Sequence, residues 1–90
     1  MPVDYEVVES LLNALWCETL RLPHAAAQDN FIDLGGNSLA AMRIAARVKE
    51  AWGVDVPMGV ILGDGTLGEL AHEVLALVQS KADTANEVRS

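Results

Sequence analysis

Three stretches of this sequence repeat their apolar residues at the 3.6-residue spacing of an amphipathic helix, and that periodicity leaves few folds open. In the first, residues 7–22, one face collects Val8, Leu11, Leu12, Leu15, Thr19 and Leu22. Trp16 flanks that face, while Glu9, Cys17 and Glu18 turn away from it. Asp4 is placed to cap this helix, and Pro23 ends its pattern. In the second, residues 38–52, Ala41, Ile44, Ala45, Val48 and Trp52 share a face, and Gly53 takes the position that glycine favours after a helix end. In the third, Leu67, Leu70, Ala71, Val74, Leu77 and Val78 align behind a capping box made of Thr66 and Glu69. Between the last two, residues 54–57 read as extended and 58–62 as a short helical turn, weakened by Gly59 and Gly63. Asp64-Gly65 reads as a turn. The expected fold is all-α, a bundle of three long helices and one short helix, with a long loop between helices one and two. A domain over residues 1–80 is expected, followed at 81–90 by a polar, disordered tail.

Ninety residues allow one domain, and an apolar content of 51% gives it a small core. Thirteen acidic and six basic side chains leave a formal net charge of -7. Such a balance argues against a nucleic-acid partner and favours partners with positive patches. With no basic start and no long apolar run, neither a signal peptide nor a membrane span is expected. The lone Cys17 forms no internal disulfide and builds no metal site, and it reads as an incidental surface thiol. A cytoplasmic monomer is the expectation. The start methionine and short polar ends suggest a free-standing protein.

The chemistry is concentrated in residues 29–39, Asp-Asn-Phe-Ile-Asp-Leu-Gly-Gly-Asn-Ser-Leu. This stretch closes a loop over 24–37, which is long for a compact domain, and loops of that length are often functional. Phe31 and Leu34 are placed to pin it to the core. Gly35 and Gly36 leave room for a large partner, and Ser38 then stands where a helix begins, a position that favours phosphate. Two readings of Ser38 stay open on this pattern. It is a helix N-cap, which local pattern alone favours, or it is a hydroxyl presented for a phosphodiester. A nucleophilic serine lacks its elbow motif, and His24 and His72, the only histidines, read as solvated. No nucleotide-binding loop is present, because no Gly-Lys-Ser/Thr follows the glycines.

The run Leu34-Gly35-Gly36-Asn37-Ser38-Leu39, led by Asp29-Asn30-Phe31, resembles the core motif of peptidyl carrier (thiolation) domains of nonribosomal peptide synthesis, in the acyl-carrier-protein family. Leu15-Trp16 with Leu20-Arg21-Leu22, Gly53-Val54-Asp55-Val56-Pro57, and Thr66-Leu67 with Leu70-Ala71 resemble its flanking segments in the same order. The resemblance implies a four-helix bundle of the acyl-carrier-protein type. It implies 4′-phosphopantetheine, taken from coenzyme A by a separate phosphopantetheinyl transferase and attached to Ser38, with Gly35, Gly36 and Asn37 as the surrounding motif. The terminal thiol of the arm would hold aminoacyl or peptidyl cargo as a thioester. The chain would have no catalytic residues of its own. Its implied partners are an adenylation enzyme, then condensation, tailoring or thioesterase enzymes. Asn37 stands where such domains often carry Asp or His, Leu62 where an aromatic is common, and Gly65 where proline is frequent. Fatty acyl and polyketide carriers resemble the chain too, but those of fatty acid synthesis typically have an acidic second helix. Here that helix carries Arg43, Arg47 and Lys49 against Glu50 alone, with Arg47 and Glu50 spaced to pair. The remaining alternative is a helical interaction module in which Ser38 only caps.

A second apolar strip runs along the same helix. Leu39, Met42 and Ala46 lie on roughly the opposite side from the core face, beside Arg43. These four residues are the expected partner-docking face. Leu39 is the one that the 58–62 segment is best placed to cover.

Overall fold

The computed structural model describes residues 3–63 and 65–89, those after Lys81 by their backbone alone. Four helices follow in order, α1 (Tyr5–Leu20), α2 (Ser38–Trp52), α3 (Met58–Ile61) and α4 (Leu67–Arg89). The Asp64 half of the expected Asp64-Gly65 turn lies outside the described residues. α1 begins at Tyr5, directly after the expected cap, where the Asp4 carboxylate accepts the Val7 amide at 3.0 Å. It ends at Leu20 because Arg21 turns left-handed, at φ 58°. α2 spans the expected residues and stops at Gly53, whose φ of 70° suits glycine. The capping box forms as read. The Glu69 amide donates to Thr66 Oγ1 at 3.2 Å, and the Thr66 amide donates to Glu69 Oε1 at 3.2 Å.

α1 packs against both α4 and α2, and α3 packs on α2. The core joins Val8, Leu12 and Leu15 of α1, Ala41, Ile44 and Val48 of α2, and Leu67, Leu70, Ala71 and Val74 of α4. One helix face departs from expectation. Trp16 is fully buried instead of flanking the α1 stripe, and its ring lies 5.3 Å from that of Phe31. A helix with neighbours on two sides buries a wider stripe than one lying on a single surface. The Trp16 indole N–H has no partner among the described residues, a cost of about 1–3 kcal/mol that the burial of its ring must exceed.

The link at 54–57 is extended, with Val54 and Val56 buried and Asp55 and Pro57 exposed between them, the alternation of an extended chain lying on a core. Beyond Ser80, α4 runs on through the polar stretch read as a tail, and Lys81 Nζ donates to the Gly53 carbonyl at 2.7 Å. The side chains of 82–90 lie outside the described residues, so the division of the chain at residue 80 remains a proposal. Among the described residues, no helix is long and apolar enough to cross a membrane.

Candidate functional site

The loop before α2 is held by the start of α4. The Leu67 amide donates to the Asp29 carbonyl and the Gly68 amide to the Ala27 carbonyl, both at 2.9 Å. These bonds serve both segments, because first-turn amides of a helix have no carbonyl of their own helix to reach. Asp29 also ties its own turn, accepting the Ala26 amide on Oδ2 at 2.8 Å. Asn30 continues the stitching, with Nδ2 donating to the Gly65 carbonyl at 3.2 Å and Oδ1 accepting the Ile32 amide at 2.9 Å. At the other end of the loop, Asn13 of α1 donates to the Ala25 carbonyl at 2.6 Å. Cys17 donates to Asn13 Oδ1 at 3.4 Å and is half-buried rather than fully on the surface.

Phe31 and Leu34 face inward as expected, Phe31 fully buried and Leu34 half-buried against the core. A single turn follows, closed by the Gly35 amide on the Ile32 carbonyl at 3.0 Å and the Gly36 amide on the Phe31 carbonyl at 2.9 Å. The two glycines meet different demands. Gly35 sits at φ 94° in open space, whereas a Cβ on Gly36 would lie 2.5 Å from two carbons of the Phe31 ring and 2.7 Å from its carbonyl oxygen. Gly35→Ala should therefore cost about 1–2 kcal/mol through backbone strain alone. Gly36→Ala should cost about 1–3 kcal/mol through overpacking. Replacing Phe31 by Leu should relieve only the ring part of the second penalty, because the contact with the residue 31 carbonyl oxygen remains, as urea denaturation of the single and double variants would reveal.

This turn delivers the chain to α2 with Asn37 as its N-cap. Asn37 Oδ1 accepts the Ala40 amide at 2.9 Å. Ser38 is the first residue inside the helix, so the reading of Ser38 as the cap is corrected. Asn and Ser cap about equally well, and the loop geometry gives the cap to the residue one position earlier. Ser38 is exposed, and among the described residues its hydroxyl has no hydrogen-bond partner. The amides of Ser38 and Leu39 lie in the first turn, where the helix offers them no carbonyl and the helix dipole favours negative charge. The start of α2 would therefore favour a phosphodiester carried on Ser38.

Leu39, Met42, Arg43 and Ala46 are all exposed, with Leu39 at 58% and Met42 at 59%. The one-turn α3 packs on α2 without covering Leu39, so the alternative in which the 58–62 segment buries this residue does not hold. Ile32, 48% exposed on the loop, is a further large apolar residue left open. Arg47 pairs with Glu18 of α1 at 3.2 Å, not with Glu50 as its helical spacing suggested. Lys49 pairs with Asp55 at 2.9 Å. His24 is exposed, and His72 is exposed with its ring stacked on Tyr5 at 4.3 Å. Among the described residues no group of histidine, cysteine or acidic side chains is arranged to hold a metal.

Comparison with known proteins bears on this arrangement. A family profile described as "Phosphopantetheine attachment site" matches residues 10–74. Phosphinothricin tripeptide synthetase PhsC of Streptomyces viridochromogenes is 42% identical over 75 residues, 83% of this chain. The chain spans only 7% of that synthetase's length. Among solved structures, the fold is similar to BlmI, a type-II acyl-carrier-protein from Streptomyces verticillus involved in bleomycin biosynthesis. The TM-score is 0.74 at 30% identity, covering 80% of this chain and 87% of that one. It is also similar to a peptidyl carrier protein in complex with the phosphopantetheine transferase Sfp and coenzyme A. There the TM-score is 0.72 at 35% identity, covering 77% of this chain and 90% of that one.

Proposed function

Because the chain belongs to the phosphopantetheine attachment-site family, we propose that it is a carrier for nonribosomal peptide synthesis, with 4′-phosphopantetheine on Ser38 as its arm. The observation that supports this reading best is the division of labour at the start of α2. Asn37 holds the helix cap, which leaves the Ser38 hydroxyl exposed beside the Ser38 and Leu39 amides, neither of which has an acceptor among the described residues. Gly35 takes the left-handed φ and Gly36 the close seat on Phe31 that shape the turn presenting it. The arm supplies a thiol that holds aminoacyl or peptidyl cargo as a thioester. The rest is done by this chain's own surface, which presents the arm and binds partners in turn. A separate transferase installs the arm and an adenylation enzyme loads it. Condensation, tailoring or thioesterase enzymes take the cargo on. The chain contributes no catalytic residue of its own, and these steps take place in the cytoplasm. The basic side chains of α2 favour a peptidyl over a fatty acyl carrier.

The test is the intact mass of the full chain after incubation with coenzyme A, magnesium and a broad-specificity transferase. One phosphopantetheinyl group is the expected gain, and an unchanged mass would overturn the reading. The same reading makes Leu39, Met42, Arg43 and Ala46 the surface that partners meet. Met42→Asp should then raise the KM for loading by the adenylation enzyme about tenfold, by placing a desolvated charge in an apolar contact. Its melting temperature should stay near that of the parent, because Met42 is exposed. Unchanged loading kinetics would remove Met42 from the docking face.

A further inference from the structure

The charge on this molecule is unevenly placed. The chain as a whole is strongly acidic, yet three of its six basic residues, Arg43, Arg47 and Lys49, lie on α2. α1, which packs beside α2, contributes Glu6, Glu9 and Glu18 and no basic side chain. Where the two helices meet, Glu18, Thr19, Arg43, Ala46 and Arg47 line a groove of 270 Å³. Its occupants are unequal. Arg47 is held by Glu18 at 3.2 Å, whereas Arg43 has no ion-pair partner among the described residues. Ala46 of the apolar strip lines this groove, and Met42 and Leu39 precede it by one and two turns of α2.

We propose that the groove between α1 and α2 receives carboxylates of the adenylation enzyme that loads the carrier, with Glu18 occupying one of those positions until the enzyme docks. The proposal rests on the carrier reading above and adds the sign of the partner's charge. An exposed ion pair contributes little in water, so an incoming carboxylate displaces Glu18 from Arg47 at small cost. Arg43 offers a second guanidinium, a planar fork that suits a carboxylate. The apolar strip then meets an apolar socket rimmed by those acidic groups. The net negative charge of the chain repels an acidic partner elsewhere, so attraction confined to α2 also orients the approach. The loading enzyme is the occupant that needs this discrimination most, because it commits a particular cargo to a particular carrier.

The experiment uses the full holo chain and the adenylation enzyme that charges it, with loading measured as a function of carrier concentration. Arg43→Glu and Arg47→Glu should each raise KM about fivefold or more at low salt. That ratio to the parent should shrink toward one at about 1 M salt, where screening acts within about 3 Å. Glu18→Gln should act in the opposite direction, lowering KM about twofold, because it releases Arg47. Gln79→Glu, an added charge on the exposed side of α4, should leave KM unchanged. Near-parental melting temperatures would confirm that these surface variants fold. Charge reversals at Arg43 and Arg47 that leave KM unchanged or lower it would overturn the proposal. A rise in KM with Glu18→Gln would overturn the role of Glu18. A parent chain that takes the arm but is charged by no adenylation enzyme would overturn the choice of occupant. Failure to take the arm at all would instead overturn the carrier reading itself.

Discussion

Ser38→Ala is expected to stay folded and to gain no phosphopantetheinyl group under conditions that convert the parent chain completely. The expected effect is all or none, because a phosphodiester to the chain needs a hydroxyl and alanine has none. The other described serines, Ser10 and Ser80, lie within α1 and α4 rather than at a helix start behind a glycine turn. The stability half of the prediction separates the two roles that local pattern left open. If Ser38 capped α2, its loss would cost about 0.5–2 kcal/mol. Since Asn37 makes the capping bond, Ser38→Ala should change stability by no more than about 0.5 kcal/mol. Asn37→Ala should carry the cap penalty of about 1 kcal/mol instead. Intact mass and thermal unfolding of the two variants are the measurements. A mass gain in Ser38→Ala would show that another group accepts the arm. A capping loss in the same variant would return the cap to Ser38.

Phe31→Ala should be among the most damaging single changes to the fold, at about 3–5 kcal/mol. The ring is fully buried, packs against Trp16 at 5.3 Å, and forms the surface on which the Gly36 backbone rests. A chain of this length has about 5–13 kcal/mol of stability in all, so the variant should melt more than about 10 °C below the parent or be unfolded at 25 °C. The neighbouring Ile32 is also a large apolar residue, but it is 48% exposed. Ile32→Ala should therefore change stability by only about 0.5 kcal/mol. The consequence reaches the site. Phe31 is the inner anchor of the turn that ends at Ser38, so a folded fraction of Phe31→Ala should also accept the arm more slowly. Equal melting temperatures for Phe31→Ala and Ile32→Ala would contradict the placement of this loop.

The contrast between Phe31 and Ile32 marks the boundary between what the residues specify locally and what packing adds. Helix existence, phase and ends were legible because they depend on residues within one or two turns of each other. The Asp4 cap, the Gly53 stop and the Thr66–Glu69 box act over four residues or fewer. The position of Ser38 behind two glycines was legible for the same reason. Tertiary packing decided the rest. It buried Trp16, since only the presence of both α2 and α4 beside α1 widens the stripe that must be dry. It gave the cap to Asn37, because equal intrinsic preferences are settled by the angle at which the loop enters the helix. It paired Arg47 with Glu18, twenty-nine positions away, in preference to Glu50 on the same helix. It left Leu39 open, because α3 is too short to cover it. Periodicity and caps are properties of neighbours along the chain, whereas burial and charge pairing belong to surfaces that come together only when the helices pack.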